Sequence, residues 1–223
     1  MSVVADEQSR YWSKVARKYD YVVDLQIGGK TRSLIRGRVA KEGGLGALVE
    51  FGCGTGFYTR VLSEKAESVV ATDISPGMLE VAKEEIKAET VKFQLEDCQK
   101  TSFPDGAFDT AFMSLVIHFT DPERTLAEMH RVLKRGGALI ITNLDPGALS
   151  GLNRIRCLVR VVYNGLARFR AKPPKGSAQH LLTEEQLCAL LRKSEFEVLS
   201  RETIADKSRS SNIPVDYIKA IKI

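Results

Sequence analysis

The chain has 223 residues, of which 43% are hydrophobic and 27% charged, with a formal net charge of +5 and a pI near 9.0. That length suits one domain with a sizeable core, and no apolar run reaches the roughly 18–20 residues a membrane-spanning helix needs. The mildly basic balance permits an anionic partner without demanding one, and the polar N-terminal stretch MSVVADEQSRYWSK lacks the apolar core of a secretory signal, so a cytoplasmic location is the default.

The first 45 or so residues read as helical and precede the first strand. ALVEFG (47–52), SVVATDI (68–74), VKFQLED (91–97), FDTAFMS (108–114) and GALIITN (137–143) then read as strands, being short, rich in Val, Ile or Phe, and punctuated by Gly and Pro at their ends. Residues 76–87 carry Met78, Leu79, Ala82 and Ile86 at helical spacing, with Ser75 as N-cap and Pro76 in the first turn. Residues 122–134 repeat that design behind Asp121, with Leu126, Met129, Val132 and Leu133 facing inward and Gly136-Gly137 expected to end the helix. The helix at 183–194 opens on a capping-box pattern, Thr183 with Gln186, and the runs 196–204 and 216–223 close the chain as an expected hairpin.

Alternation of strand and helix specifies a mostly parallel sheet covered on both faces. Seven strand-like runs predict an α/β, doubly wound, seven-stranded sheet, and the terminal hairpin makes one edge strand antiparallel. Everything reads as one domain, with 1–45 as an N-terminal helical cap and 146–180 as a helical lid insert after the fifth strand. Cys53, Cys98, Cys157 and Cys188 are too far apart to form metal-ligand pairs, so reduced thiols and no metal site are expected.

Three glycines, Gly52, Gly54 and Gly56, follow the first strand at every second position. Such a loop lets the backbone turn sharply and lets a ligand approach the main chain. Its spacing differs from the dinucleotide fingerprint and leaves no helix start aimed at a pyrophosphate, so it suits a ligand without phosphates. Asp73 ends the second strand, where a carboxylate can accept hydrogen bonds from both hydroxyls of a ribose. The third strand ends in Glu96-Asp97-Cys98, where an acid can accept from an exocyclic amine.

VEFGCGTGFYT, ATDISPGML, LEDCQKTSFPDGAFD and MHRVLKRGGALIITN together resemble, in order and spacing, the motifs of class I S-adenosylmethionine-dependent methyltransferases, over about residues 45–145. The resemblance is nearest to the group that methylates small molecules, quinones and lipids. It implies a Rossmann-like fold and S-adenosylmethionine as cofactor. It would set Gly52, Gly54 and Gly56 against the methionine part, with Glu50 near its amino group and Ser114 at the same end. Asp73 would bind the ribose, Ile74 and Met78 would flank the adenine, and Asp97 would face the adenine amine beside the Cys98 backbone. The stretch from Tyr11 to Asp20 resembles a helix that closes over the cofactor, with Tyr11 and Tyr19 as its candidates.

Methyl transfer from a sulfonium is an in-line displacement, so the protein mainly supplies alignment and a dry pocket, with a general base only if the acceptor loses a proton. His118, just past the fourth strand, is the titratable candidate for that catalytic role, with a structural or helix-capping role as the alternative; Asp145 lies similarly past the fifth strand. Residues 154–170, arranged as a helix, place Ile155, Leu158, Val159, Val162, Leu166 and Phe169 on one face and Arg156, Arg160, Asn164 and Arg168 on the other. That basic amphipathic pattern fits either a lid with a solvated face or one that also touches a membrane surface or an anionic acceptor.

The expected activity is methyl transfer to a small-molecule or lipid-like acceptor. Nucleic-acid methylation is disfavoured because the fourth strand ends Met113-Ser114-Leu115-Val116, without an Asn/Asp-Pro-Pro-aromatic motif, and no RNA-binding module is visible. A non-catalytic cofactor-binding regulator is the remaining alternative.

Overall fold

The computed structural model describes residues 3–148, 181–206 and 214–223. Seven strands form one sheet: β1 Ala47–Phe51, β2 Ser68–Asp73, β3 Val91–Leu95, β4 Phe108–Ser114, β5 Leu133–Leu144, β6 Phe196–Ile204 and β7 Val215–Lys222. Their order is β3-β2-β1-β4-β5-β7-β6. The first five pair parallel. The terminal hairpin forms as expected, and β7 is the one antiparallel strand, placed between β5 and β6 with β6 outermost.

The chain therefore winds outward from β1 to β3, then returns to β4 beside β1. At such a reversal the two following loops diverge to opposite faces and open a crevice beyond the C-terminal strand ends. Both faces of the sheet are covered. Val49, Phe51, Met113, Leu139, Ile141 and Ile218 pack toward α6 (Pro122–Val132) and α7 (Glu184–Lys193). Leu48, Phe112, Ile140 and Tyr217 pack toward α3 (Gly29–Val39), α4 (Thr59–Ser63) and α5 (Pro76–Glu85). In α6 the side chains of Leu126, Met129 and Val132 are completely buried. Each such side chain contributes about 1.5–3 kcal/mol of burial, which outweighs the weak intrinsic preferences of an eleven-residue helix.

The caps act as the sequence predicts. Ser75 Oγ accepts from the amide of Met78, and Asp121 accepts from the amides of Glu123 and Arg124. Thr183 and Gln186 form the reciprocal capping box of α7. One boundary is corrected. Helix α6 stops at Val132, and β5 already begins at Leu133, so Gly136-Gly137 lies within the strand and does not end the helix. Leu133 is completely buried and pairs with Phe108, so its side chain gains more from sheet packing than from another turn of helix.

The N-terminal cap is helical as expected: α1 Val3–Val15, α2 Tyr19–Val23 and α3, with a 3-10 turn at Ala16–Lys18 and a π-helical turn at Asp24–Gly28. After a short turn at Pro146–Ala148, the expected lid insert, including the amphipathic pattern of 154–170, lies outside the described residues. Among the described residues, no helix is long and apolar enough to cross a membrane.

Candidate functional site

A cavity opens where the winding reverses. Its inner wall consists of Gly52, Gly54, Asp73 and Ile74 at the ends of β1 and β2; Met78 and the Asp97–Gln99 turn continue it. Leu115, Val116, Phe119 and Thr120, after β4, form another side, and Gln8, Trp12 and Tyr19 from the N-terminal helices close the outside.

The glycine loop owes its shape to local geometry. Gly52 has φ +69°, and a Cβ there would lie 2.4 Å from Val116 Cγ2, so any side chain would strike the strand end opposite. Gly54 has φ +55° and faces the Tyr19 ring. Asp73 holds this loop: one carboxylate oxygen accepts from the Gly54 amide and the other from the Ser75 amide, both at 2.9 Å. Burial nonetheless pushes its carboxyl up to about 6, against the lowering effect of those amides. A carboxylate offers about four acceptor positions, so two bonds leave capacity for a ligand.

Glu50 lies beneath the loop, almost fully buried, and accepts from Thr59 Oγ1 at 2.6 Å. Burial dominates and pushes it up to about 8, with the Asp73 charge adding to the rise. A cation arriving nearby would favour the ionised form and release the proton.

A polar tether joins the N-terminal helices to the loop. Thr55 Oγ1 donates to Asp20 at 2.8 Å, and Arg32 donates to both Asp20 and Asp24. The Arg32 guanidinium lies 3.8 Å from the centre of the Phe57 ring, so one face stacks on an aromatic ring while its Nη1 and Nη2 edges meet the carboxylates. Tyr19, the residue before Asp20, is thereby set against Gly54.

Of the residues expected from sequence, Tyr19, Gly52, Gly54, Asp73, Ile74, Met78, Asp97 and Cys98 come together around the cavity. Tyr11, Glu50, Gly56, Ser114 and His118 do not line it. Tyr11 stands edge-on against Trp12, whose ring lines the cavity in its stead. Ser114 is engaged with Thr142 across β4 and β5 at 2.8 Å, and a Cβ on Gly56 would meet Ile86 of the α5 end, away from the cavity. His118 is buried against Phe119, with ring centres 4.1 Å apart, and burial lowers it to about 4. Its Nδ1 has no hydrogen-bond partner. A neutral imidazole directed into the fold gives the expected catalytic role no positional support; its neighbour Phe119 faces the cavity.

Sequence reasoning missed Gln8, Trp12, Gln99, Leu115, Val116, Phe119 and Thr120. Leu115 carries a structural signal that no sequence pattern displays: φ +58° in a non-glycine residue, held by its amide donating to the Thr142 carbonyl at 3.1 Å. Strain of this kind concentrates at ligand sites.

The sequence model of the family described as "Methyltransferase domain" matches residues 49–141. The chain is 35% identical over 144 residues to a malonyl-[acyl-carrier protein] O-methyltransferase of Serratia marcescens, spanning 63% of this chain and 54% of that protein. It is 36% identical over 104 residues to a demethylmenaquinone methyltransferase of Bacteroides fragilis, spanning 44% of this chain and 42% of that protein. The chain thus spans about half the length of these curated relatives. A crystal structure of a SAM-dependent methyltransferase from Methanosarcina mazei superposes with TM-score 0.61 at 26% identity, covering 79% of this chain and 92% of that one.

Residues 49–141 thus match the methyltransferase-domain family model, and the chain is similar to methyltransferases of that kind in sequence and in fold. The matched segment runs from β1 into β5 and so contains the glycine loop, Asp73, Asp97 and the Leu115–Thr120 side of the cavity. It stops short of the N-terminal helices that close the outer side of the cavity. Among the described residues no group of three His, Cys, Asp or Glu side chains could hold a metal ion.

Proposed function

We propose that this protein binds S-adenosylmethionine and transfers its methyl group to a small-molecule or lipid-like acceptor. The observation that carries this reading is Asp73: a carboxylate at a strand end, inside the cavity, with acceptor capacity left over after fastening the glycine loop. The cavity fits the cofactor's other parts. Ile74, Met78 and Trp12 give apolar walls for an adenine, Asp97 supplies an acceptor for its amine, and the glycine loop allows close approach of the methionine chain. Glu50, buried beneath the loop and outside the cavity lining, would ionise toward an ammonium group brought close to it.

When bound, the sulfonium supplies an electrophilic methyl group. The chain's residues then align and desolvate: the loop fixes one end, Asp73 the middle, and the N-terminal helices keep water out. His118, buried against Phe119, does not line the cavity.

The acceptor class rests on the relatives, one named for an acyl-carrier substrate and another for a quinone precursor. We read residues 1–223 as a single domain with a cap and an insert, and the basic amphipathic pattern at 154–170 favours contact with an anionic lipid surface near the acceptor. Incubation with cofactor labelled in the methyl group and a panel of thiols, quinones, phospholipids, phenols and RNA tests the reading. Transfer to a quinone, phenol, thiol or lipid is the expected result; transfer to RNA alone, or tighter calorimetric binding of NAD than of S-adenosylmethionine, would overturn it.

A further inference from the structure

Resting on the cofactor reading above, we propose that Trp12 is a binding residue for the ligand's aromatic base, and that a notch at Gly77 positions it. Gly77 is the second residue of α5, in the first turn of the helix. Its φ does not call for glycine, but its surroundings do. A Cβ at Gly77 would lie 2.9 Å from the Ser13 Cα, a backbone atom that cannot swing aside. Helix α1 therefore lies directly on the start of α5, closer than any side chain would allow.

Ser13 converts that closeness into a fixed register. Its hydroxyl lies 2.9 Å from Ser75 Oγ, accepts from the Gly77 amide at 3.3 Å and donates to the Ser9 carbonyl at 2.8 Å. It thus supplements the N-cap of α5 from a different helix. Five residues earlier, Gln8 Nε2 donates to the Phe119 carbonyl at 3.1 Å, so α1 is tied to both sides of the cavity. Trp12 lies between these two ties. Its ring is set edge-to-face against Phe119 at 5.0 Å and Tyr19 at 5.9 Å, and it packs beside Met78. Despite these neighbours it is only half-buried, because part of the indole borders the cavity opposite Asp97 and Cys98. An aromatic ring fixed by edge-to-face neighbours and partly exposed to a cavity can serve as a stacking platform.

Trp12 is the chain's one tryptophan, so intrinsic fluorescence reads this site alone. The test titrates the full chain with S-adenosylhomocysteine by calorimetry and by tryptophan emission. Saturation should change Trp12 emission, Trp12→Ala should weaken binding about tenfold, and Trp12→Phe should stay within about threefold of the parent. Gly77→Ala should shift Trp12 emission to the red in the free protein and weaken binding while the melting temperature stays near that of the parent. Calorimetric binding by the parent with Trp12→Ala equally tight would overturn the assignment of Trp12. Unchanged emission in Gly77→Ala would overturn the notch. Absence of any binding by the parent would instead overturn the cofactor reading itself, and this inference with it.

Discussion

The two walls of the cavity are built by different forces. The inner wall is the end of a fully buried parallel sheet: Val49, Phe51, Ala71, Phe112 and Met113 have no exposed surface to speak of, and the loop beyond them continues the backbone pattern through Cys53 N to Thr72 O at 2.8 Å. The outer wall is a set of helices tied on by side chains, through Gln8, Ser13, Asp20 and Arg32. A wall continuous with the core opens only with global unfolding, whereas one held by a few side-chain bonds opens locally at lower cost. The difference teaches that the side of the cavity formed by the glycine loop and Asp73 is preformed with the sheet, while its outer side is completed by a separable piece.

The largest effect should come from the inner wall. Asp73→Ala removes the acceptor for the Gly54 and Ser75 amides as well as the proposed ribose contact, and should weaken cofactor binding by about 2–3 kcal/mol while the fold survives. Calorimetry measures it; an unchanged affinity would move the ribose elsewhere and leave Asp73 a purely structural brace.

Next comes Arg32→Met, which strikes the tether of the outer wall. Arg32 is almost fully buried while Asp20 and Asp24 are half-exposed, so the loss should be of order 1–3 kcal/mol, moderated by water reaching the freed carboxylates. Hydrogen exchange should show α1–α3 losing protection with β1 and β4 unchanged. Equal loss in all of them would make the two walls one cooperative unit and break the comparison.

The pH dependence sharpens it further. Burial raises Glu50 to about 8 and Asp73 to about 6, above their ordinary values, so each favours the fold when protonated. Their contribution is complete below about pH 4 and is lost as pH rises through 6 for Asp73 and 8 for Glu50. His118, lowered to about 4, acts oppositely and costs stability as pH falls from about 6.5. Between pH 6.5 and 8 the ligand-free melting temperature should therefore fall, by a few degrees on the scale of about 2–4 °C per kcal/mol, and Glu50→Gln should flatten that slope. Ligand binding near pH 7 should release protons, visible as a dependence of the binding heat on buffer ionisation. A slope unchanged in Glu50→Gln would remove Glu50 from the account.

The smallest effect belongs to Gln8→Ala. One neutral, half-buried hydrogen bond contributes about 0.5–1.5 kcal/mol, so α1 amides alone should exchange faster, with little change in melting temperature. A drop in melting temperature as large as that of Arg32→Met would mean that α1 carries more of the global stability than its contacts suggest.

What the sequence determined by itself is whatever is written locally. Strand and helix periods, the Ser75, Asp121 and Thr183 caps, the glycine loop and the acids at the ends of β2 and β3 are all short-range patterns, and a parallel sheet brings strand ends to one side without further instruction. Even the misplaced boundary at Leu133 was local in appearance; it was decided by burial opposite Phe108, a residue 25 positions away. Only the tertiary structure decided which member of a neighbouring pair faces the cavity. Trp12 lines it and Tyr11 does not, Phe119 lines it and His118 does not, because one residue of helical or 3-10 rotation turns a side chain by about 100–120°; for Trp12 the docking of α1 on Gly77 sets that rotation. The tether from Thr55 through Asp20 to Arg32 was likewise invisible, since it joins residues up to 35 positions apart whose identities, a threonine, an aspartate and an arginine, are ordinary on any solvated surface.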